Sequence, residues 1–250
     1  MSDITPKQVI LVTGGTRGIG RGIVERIANH QRAVVINYRD SKEIAEDLVD
    51  DIRKKGGHAL GIRADVADPA AVEEMAKQVL GEWGRIDAVV HNASPPVTHS
   101  RFEDTAWTEF ERHWSVQVGG AFNLVKSFLP GLKTSRGQVV FVLSSSVLQH
   151  PPAQMSAYVT VKYGLMGLAK CLGVEFAKVG VRINMVSPYT TQTELQAGVS
   201  PRVFEMWADS HPMRRLTTVE DTAAAIDFLL SPDSSYVNLA NIPITGGIVS

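Results

Sequence analysis

Short runs of consecutive apolar residues alternate along the chain with longer stretches whose apolar positions recur at helical spacing. Gln8–Thr13 (QVILVT) reads as a buried strand, Arg21–His30 as a helix and Ala33–Asn37 (AVVIN) as a second strand. Ser41 is placed as the N-cap of a helix that ends before Gly56 and Gly57, and His58–Arg63 forms a third strand. Asp68 and Pro69 open a further helix, with the proline in its first turn. Ile86–Val90 is a fourth strand, and a long helix covers Thr108–Phe128, ending by Pro130. The pattern continues with a strand at Gln138–Leu143, a helix at Ser156–Lys178 and a strand at Val181–Val186. It closes with a helix at Val219–Leu230 and a short strand at Asn241–Thr245.

Strands apolar on both faces and separated by helices predict a parallel sheet with helical crossovers. Right-handed crossovers then give an α/β fold of the Rossmann type, a doubly wound parallel sheet in a single domain. The ligand crevice of such a sheet lies at the carboxyl ends of its strands, so the residues just after each strand are the place to look for chemistry. Met185–His211 is the least regular stretch, and residues 187–211 are expected to form a substrate lid.

Composition narrows the partners. Over 250 residues, 25 basic side chains nearly balance 26 acidic ones, without the basic excess of a nucleic-acid binder. The single cysteine, Cys171, cannot form an internal disulfide, which points to a reducing compartment. The amino-terminal stretch lacks the pattern of a secretion signal, and no apolar window is long enough to cross a membrane. A cytoplasmic location and no membrane or nucleic-acid partner are therefore expected. The seven histidines show no ligand spacing with cysteine or glutamate, so no metal is expected.

The first strand runs into Thr13-Gly14-Gly15-Thr16-Arg17-Gly18-Ile19-Gly20. A glycine-rich strand-to-helix turn lets backbone N–H groups approach a phosphate at a helix N-terminus, the arrangement of a dinucleotide site. The second strand ends in Asn37-Tyr38-Arg39-Asp40. A carboxylate at this place suits the ribose 2′-hydroxyl of NAD, whereas arginine suits the 2′-phosphate of NADP. Tyr38, Arg39 and Arg17 favour NADP(H), although Asp40 could pair with Arg39 or reach a ribose itself, and the arginines could be solvated surface residues. Tyr158 and Lys162, four apart on one helix face, suit a general acid or base whose pKa a nearby ammonium lowers.

Taken together, these motifs resemble the short-chain dehydrogenase/reductase family over almost the whole chain. The resemblance also includes Asp65-Val66, His91-Asn92-Ala93-Ser94, Asn184–Pro188, Thr193 and His211–Leu216. It implies hydride transfer between a nicotinamide cofactor and a carbonyl or alcohol. It further implies Tyr158 as proton donor, Lys162 on the nicotinamide ribose, Asp65 and Val66 on adenine, and Asn92 and Ala93 in the adenosine-side ribose region. Thr193 would meet the carboxamide and Pro188 would lie beside the nicotinamide. A serine after the fifth strand would polarise the carbonyl. Counting back from Tyr158 reaches Ser145, the preferred residue; counting forward from Gly137 reaches Ser144; Ser146 could cap the loop. Homotetramers or dimers are expected on the same ground.

Departures from the family pattern are informative. Gln117 stands where an asparagine holds a water of a proton relay, and its extra methylene shifts that geometry. His91 reads as a strand-end packing residue. Tyr189 replaces a glycine beside the nicotinamide. Met155, seven residues before Lys162, stands where enoyl reductases of the family carry tyrosine. Pro95, Pro96, Val97, His150, Pro151, Met155, Tyr189, Leu195, Phe204 and Trp207 are expected to wall an apolar pocket, though several could simply pack in the core. The reading is an NADPH-dependent reductase of a ketone on a hydrophobic or β-ketoacyl-like skeleton. The alternatives are the oxidative direction or a catalytically weakened NADPH-binding scaffold.

Overall fold

The computed structural model describes residues 6–148, 150–193 and 199–248. Seven strands, β1 (Gln8–Thr13), β2 (Arg32–Tyr38), β3 (His58–Arg63), β4 (Ala88–His91), β5 (Gln138–Val142), β6 (Arg182–Pro188) and β7 (Asn241–Ile244), form one sheet in the order β3-β2-β1-β4-β5-β6-β7. Every pairing is parallel. The strand order reverses direction between β1 and β4, which opens a crevice at their carboxyl ends.

The period-2 alternation of β1 explains the two core layers. Val9 and Leu11 point into one layer, with Met75 of α3 (Pro69–Trp83), Leu124 and Phe128 of α5 (Gly120–Ser135) and Leu165 of α6 (Ser156–Ala177). Ile10 and Val12 point into the other, with Ile23 of α1 (Gly18–Ile27), Leu48 of α2 (Lys42–Lys54) and Ile226 of α8 (Val219–Leu230). Burying such side chains stabilises the fold by about 1.5–3 kcal/mol each before chain entropy opposes it.

The expected helix over Thr108–Phe128 differs from the observed one. Two helices, α4 (Trp107–Trp114) and α5, are joined by a π turn over Ser115–Gly119. The helix does not stop at Pro130 but continues to Ser135, where Arg136 takes left-handed backbone at φ 52°. Proline removes one helical hydrogen bond, but Phe128 and Leu132 on either side of it are buried, and that packing outweighs the loss. Gly120 opens α5 because a Cβ there would lie 2.8 Å from Val66 Cγ2. The expected irregular stretch also differs, since Pro201–Ser210 forms a helix, α7, with Phe204 buried. The rest of the expected lid is partly β6, and residues 194–198, including Leu195, lie outside the described residues. Ser41 precedes α2 as expected but makes no side-chain capping bond, because its hydroxyl is turned to Arg17.

Candidate active site

The glycine turn is built from close backbone approaches. Gly14 and Gly18 adopt φ of +60° and +49°, a region that side chains disfavour. A Cβ on Gly20 would sit 2.1 Å from the Gly14 carbonyl oxygen, so only glycine lets α1 start this close to β1. Arg17 at the N-cap offers no side-chain bond to the first turn, so it does not cap the N–H groups at the start of α1. The turn is braced from β4: Asn92 Nδ2 donates to the carbonyls of Thr13 (3.1 Å) and Gly14 (3.2 Å). The backbone N–H groups of Asn92 and Ala93 donate to Thr13 Oγ1 at 3.0 and 3.1 Å. His91 completes the brace, its Nδ1 lying 3.0 Å from Thr13 Oγ1 and its Nε2 2.9 Å from the Gln117 carbonyl. Burial holds His91 down at about 4, so the ring is neutral and structural.

At the end of β2, Tyr38 is buried with its ring beside Gly61 of β3. Arg17 Nη2 donates to Ser41 Oγ at 2.6 Å, which fixes that guanidinium at the mouth of the crevice. Arg39 Nε donates to Asp40 Oδ2 at 2.6 Å, and both side chains are mostly exposed. Asp65 accepts from the Ala67 N–H at 2.9 Å and contributes its field to Arg39, while Val66 is buried against Gly120.

A cavity of about 270 Å³ opens at the carboxyl ends of β4, β5 and β6. Ile19 of the glycine turn, Asn92, all three serines, Tyr158, Lys162, Pro188 and Thr193 line it. Ser144 and the preferred Ser145 both line the cavity, and of the two it is Ser144 that acts on the Tyr158 hydroxyl. Ser144 Oγ also accepts from the Ser146 N–H at 3.2 Å and from the Ser146 hydroxyl at 2.9 Å, so Ser146 orients Ser144 within the loop. Lys162 Nζ donates to the Val142 carbonyl at 2.8 Å and stands 5.5 Å from the centre of the Tyr158 ring.

Electrostatics here run against the expected lowering of Tyr158. Burial pushes Tyr158 up to about 12, opposed by the Ser144 hydrogen bond, and pushes Lys162 down to about 7. Desolvation disfavours each charged form. Tyr158 is thus a protonated phenol at neutral pH, the form that can donate.

The pocket wall is more polar than expected. Val97, Met155, Tyr189 and Trp207 line the cavity, whereas Pro95, Pro96, His150, Pro151 and Phe204 are not among its lining residues. His99, Ser94 and Thr190, absent from the expected wall, do line it. Tyr189 leans on His211 with ring centres 5.4 Å apart. Two residues that sequence reasoning missed stand behind Tyr158. His113 meets its ring edge-on at 5.9 Å, and Glu109 pairs with His113 Nε2 at 3.2 Å. Their spacing with Gln117, at successive steps of four on one helix face, was the legible signal.

A family model described as enoyl-(acyl carrier protein) reductase matches residues 14–249. The chain belongs to the short-chain dehydrogenase/reductase family. It is an oxidoreductase of the class acting on CH–OH and C=O groups. The 3-oxoacyl-[acyl-carrier-protein] reductase FabG of Staphylococcus aureus is 31% identical over 242 residues, covering 95% of this chain and 96% of that one. A short-chain dehydrogenase from Burkholderia cenocepacia, solved in complex with NADP, superposes with a TM-score of 0.89 at 27% identity, covering 98% and 99% of the two chains. A 3-ketoacyl-(acyl-carrier-protein) reductase from Brucella melitensis, complexed with NADH, gives 0.88 at 28% identity, covering 97% and 98%.

Proposed function

We propose that this family member is an NADPH-dependent reductase that converts a ketone on a hydrophobic or β-ketoacyl-like skeleton to an alcohol, in the cytoplasm. The observation that carries the reading is the meeting of Ser144, Tyr158 and Lys162 in one cavity that the glycine turn borders, with Lys162 Nζ 5.5 Å from the centre of the Tyr158 ring. The close-packed glycines and the absence of a side-chain cap at Arg17 fit a pyrophosphate at the start of α1. Arg17 and Arg39 would hold a 2′-phosphate, Asp65 and Val66 the adenine, Lys162 the nicotinamide ribose, and Thr193 and Pro188 the carboxamide side. The bound cofactor supplies the hydride.

The chain's own residues do the rest. Ser144 donates to the carbonyl oxygen and holds it against Tyr158. The Tyr158 hydroxyl gives that oxygen its proton as the carbon accepts the hydride, leaving a phenolate that solvent reprotonates. One ketone, one hydride and one proton give one alcohol. A protonated Tyr158 favours this direction, since the reverse requires the phenolate first. Met155 in place of a tyrosine supports ketone over enoyl reduction. The FabG relative and the 3-ketoacyl-(acyl-carrier-protein) reductase from Brucella support a β-ketoacyl-type substrate. A second copy of the chain is the expected covering for the exposed Trp107 and Phe122 of the α4–α5 region, giving a dimer or tetramer that sedimentation would weigh.

The test is NADPH consumption over a ketone panel that includes β-ketoacyl thioesters. Tyr158→Phe should abolish turnover while NADPH fluorescence titration stays within about twofold of the parent protein. Undiminished turnover in that variant refutes the assignment, and binding without any turnover in the parent protein favours a scaffold.

A further inference from the structure

The carboxylate of Glu109, on α4, stands between the wall of the cavity and its phenol. On one side it holds Arg112, whose Nε donates to Glu109 Oε2 at 3.1 Å and whose Nη2 donates to Oε1 at 2.7 Å. The same Nη2 donates to the Pro96 carbonyl at 3.1 Å and to Thr98 Oγ1 at 3.5 Å. Those two residues flank Val97, and Val97 and His99 line the cavity. The segment is tied again at its far end, where the Ser100 N–H donates to the Gln154 carbonyl at 3.0 Å. On the other side Glu109 Oε1 lies 3.2 Å from Nε2 of His113, a side chain only 1% exposed, and draws the ring's proton to that nitrogen. Nδ1 accepts from Gln117 Nε2 at 2.9 Å, so the imidazole is held at both nitrogens. Its ring stands edge-on to the Tyr158 ring, with centres 5.9 Å apart and planes at 78°. Arg112 first, and Thr98 and His113 with it, hold the Glu109 carboxyl below the usual carboxylate range, so it is charged at neutral pH.

We propose that Glu109 is a positioning residue that couples the Val97–His99 wall of the cavity to the placement of the Tyr158 ring, acting on the wall through Arg112 and on the ring through His113. The inference rests on the reductase reading above and adds to it what sets the ketone against its acid. The wall decides where the substrate's skeleton lies, and the phenol decides where the proton arrives. One carboxylate serves both, so neither side shifts without loosening the other, and the carbonyl oxygen of a ketone that the wall admits stays in reach of the hydroxyl. The spacing makes this possible: Arg112 and His113 follow Glu109 by three and four residues, which puts all three side chains on one face of α4. Burial sets the strength of the link. Side-chain exposures of 20% for Glu109 and 40% for Arg112 shield this pair far better than the nearby Arg101–Glu103 pair, where both side chains are 70% exposed. A fork of two charge-assisted bonds also fixes the guanidinium plane, which a single contact would leave free to turn.

The test is a set of double-mutant cycles read in kcat and KM for the best ketone of the panel at saturating NADPH. Arg112→Met should raise KM by about 3- to 10-fold with kcat within about twofold. His113→Leu should lower kcat by about 10-fold, short of the roughly hundredfold loss that a misplacement near 1 Å brings, with KM within about twofold. Glu109→Ala should do both at once, and adding either substitution to it should cost less than about twofold more. Glu109→Gln keeps the shape and one acceptor oxygen, so both parameters should fall between those of the parent protein and Glu109→Ala. Losses from Arg112→Met and His113→Leu that simply add to those of Glu109→Ala overturn the proposal. So does a Glu109→Ala protein that loses thermal stability with kcat and KM unchanged. Should Glu109→Ala not fold, Glu109→Gln and the division between Arg112→Met and His113→Leu decide: one parameter moving in both of these variants overturns the link. Failure of the reductase reading would show separately, as turnover that survives Tyr158→Phe.

Discussion

Cofactor choice turns on one exchange at the end of β2. Arg39 Nε donates to Asp40 Oδ2 at 2.6 Å, with side-chain exposures of 64% and 60%. An ion pair this exposed is worth about 0–1 kcal/mol, so little opposes its release. A guanidinium hydrogen-bonded to a phosphate gains about 1.5–3 kcal/mol. The difference, about 1–2 kcal/mol, predicts that Arg39→Ala weakens NADPH binding by about 5- to 30-fold and leaves NADH within about twofold. Asp40→Asn removes both the competitor for Arg39 and a charge facing the phosphate, so NADPH should bind about two- to fivefold tighter. Arg17, held by Ser41 at 2.6 Å, would be the second anchor, and Ser41→Ala should then give a smaller NADPH-selective loss. Fluorescence titration at two ionic strengths is the assay, and the NADPH advantage should shrink at high salt because the site is open to screening. Equal losses for both cofactors in Arg39→Ala, or tighter NADH binding in the parent protein, would refute the argument and make Asp40 a ribose ligand.

Three further outcomes are expected. Ser144→Ala should lower kcat by about 100-fold or more and Ser145→Ala by less than about fivefold, since Ser144 is the serine that acts on Tyr158; the reverse order in steady-state kinetics would assign the role to Ser145. Gly20→Ala should abolish cofactor binding in a fluorescence titration, because its Cβ meets the Gly14 carbonyl at 2.1 Å and backbone must move; near-normal affinity would contradict the close packing of the turn. Lys162→Met should raise the melting temperature at pH 7 while removing turnover. The folded-state value for Lys162 is depressed from 10.5 to about 7, so between those limits the unfolded chain binds the extra proton and stability climbs with pH; in the variant that slope should vanish, and a lower melting temperature would count against it.

Where local signals and tertiary packing agree, the fold was legible. β1, β3 and α8 match their expected bounds because turn residues flank their apolar runs, and because Thr218 and Asp221 close a capping box ahead of α8. Pro130 misled because a local rule met a buried face: Phe128 and Leu132 hold the helix together across it. The π turn has no signal of its own beyond Gly119 and Gly120. α7 carried the pair Ser200-Pro201, a start signal outweighed by its polar surroundings. At the site, residue types were readable but their partners were not. Counting could not separate Ser144 from Ser145, because the counts from Gly137 and from Tyr158 disagree by one residue; the folded loop is what brings Ser144 to act on Tyr158.

The same burial explains why this site is costly to fold and suited to reduction. Tyr158 and Lys162 are each nearly excluded from solvent, and both lose their charged forms by desolvation. A site selected for stability alone would not bury an ammonium against a carbonyl at 2.8 Å. That burial becomes useful once a proton must leave Tyr158 and be replaced. The phenol holds its proton until the carbonyl oxygen gains negative character, and a lysine near 7 can give up a proton with little driving force lost to either side. Stability given up by burying Tyr158 and Lys162 is thus concentrated where the proton is transferred.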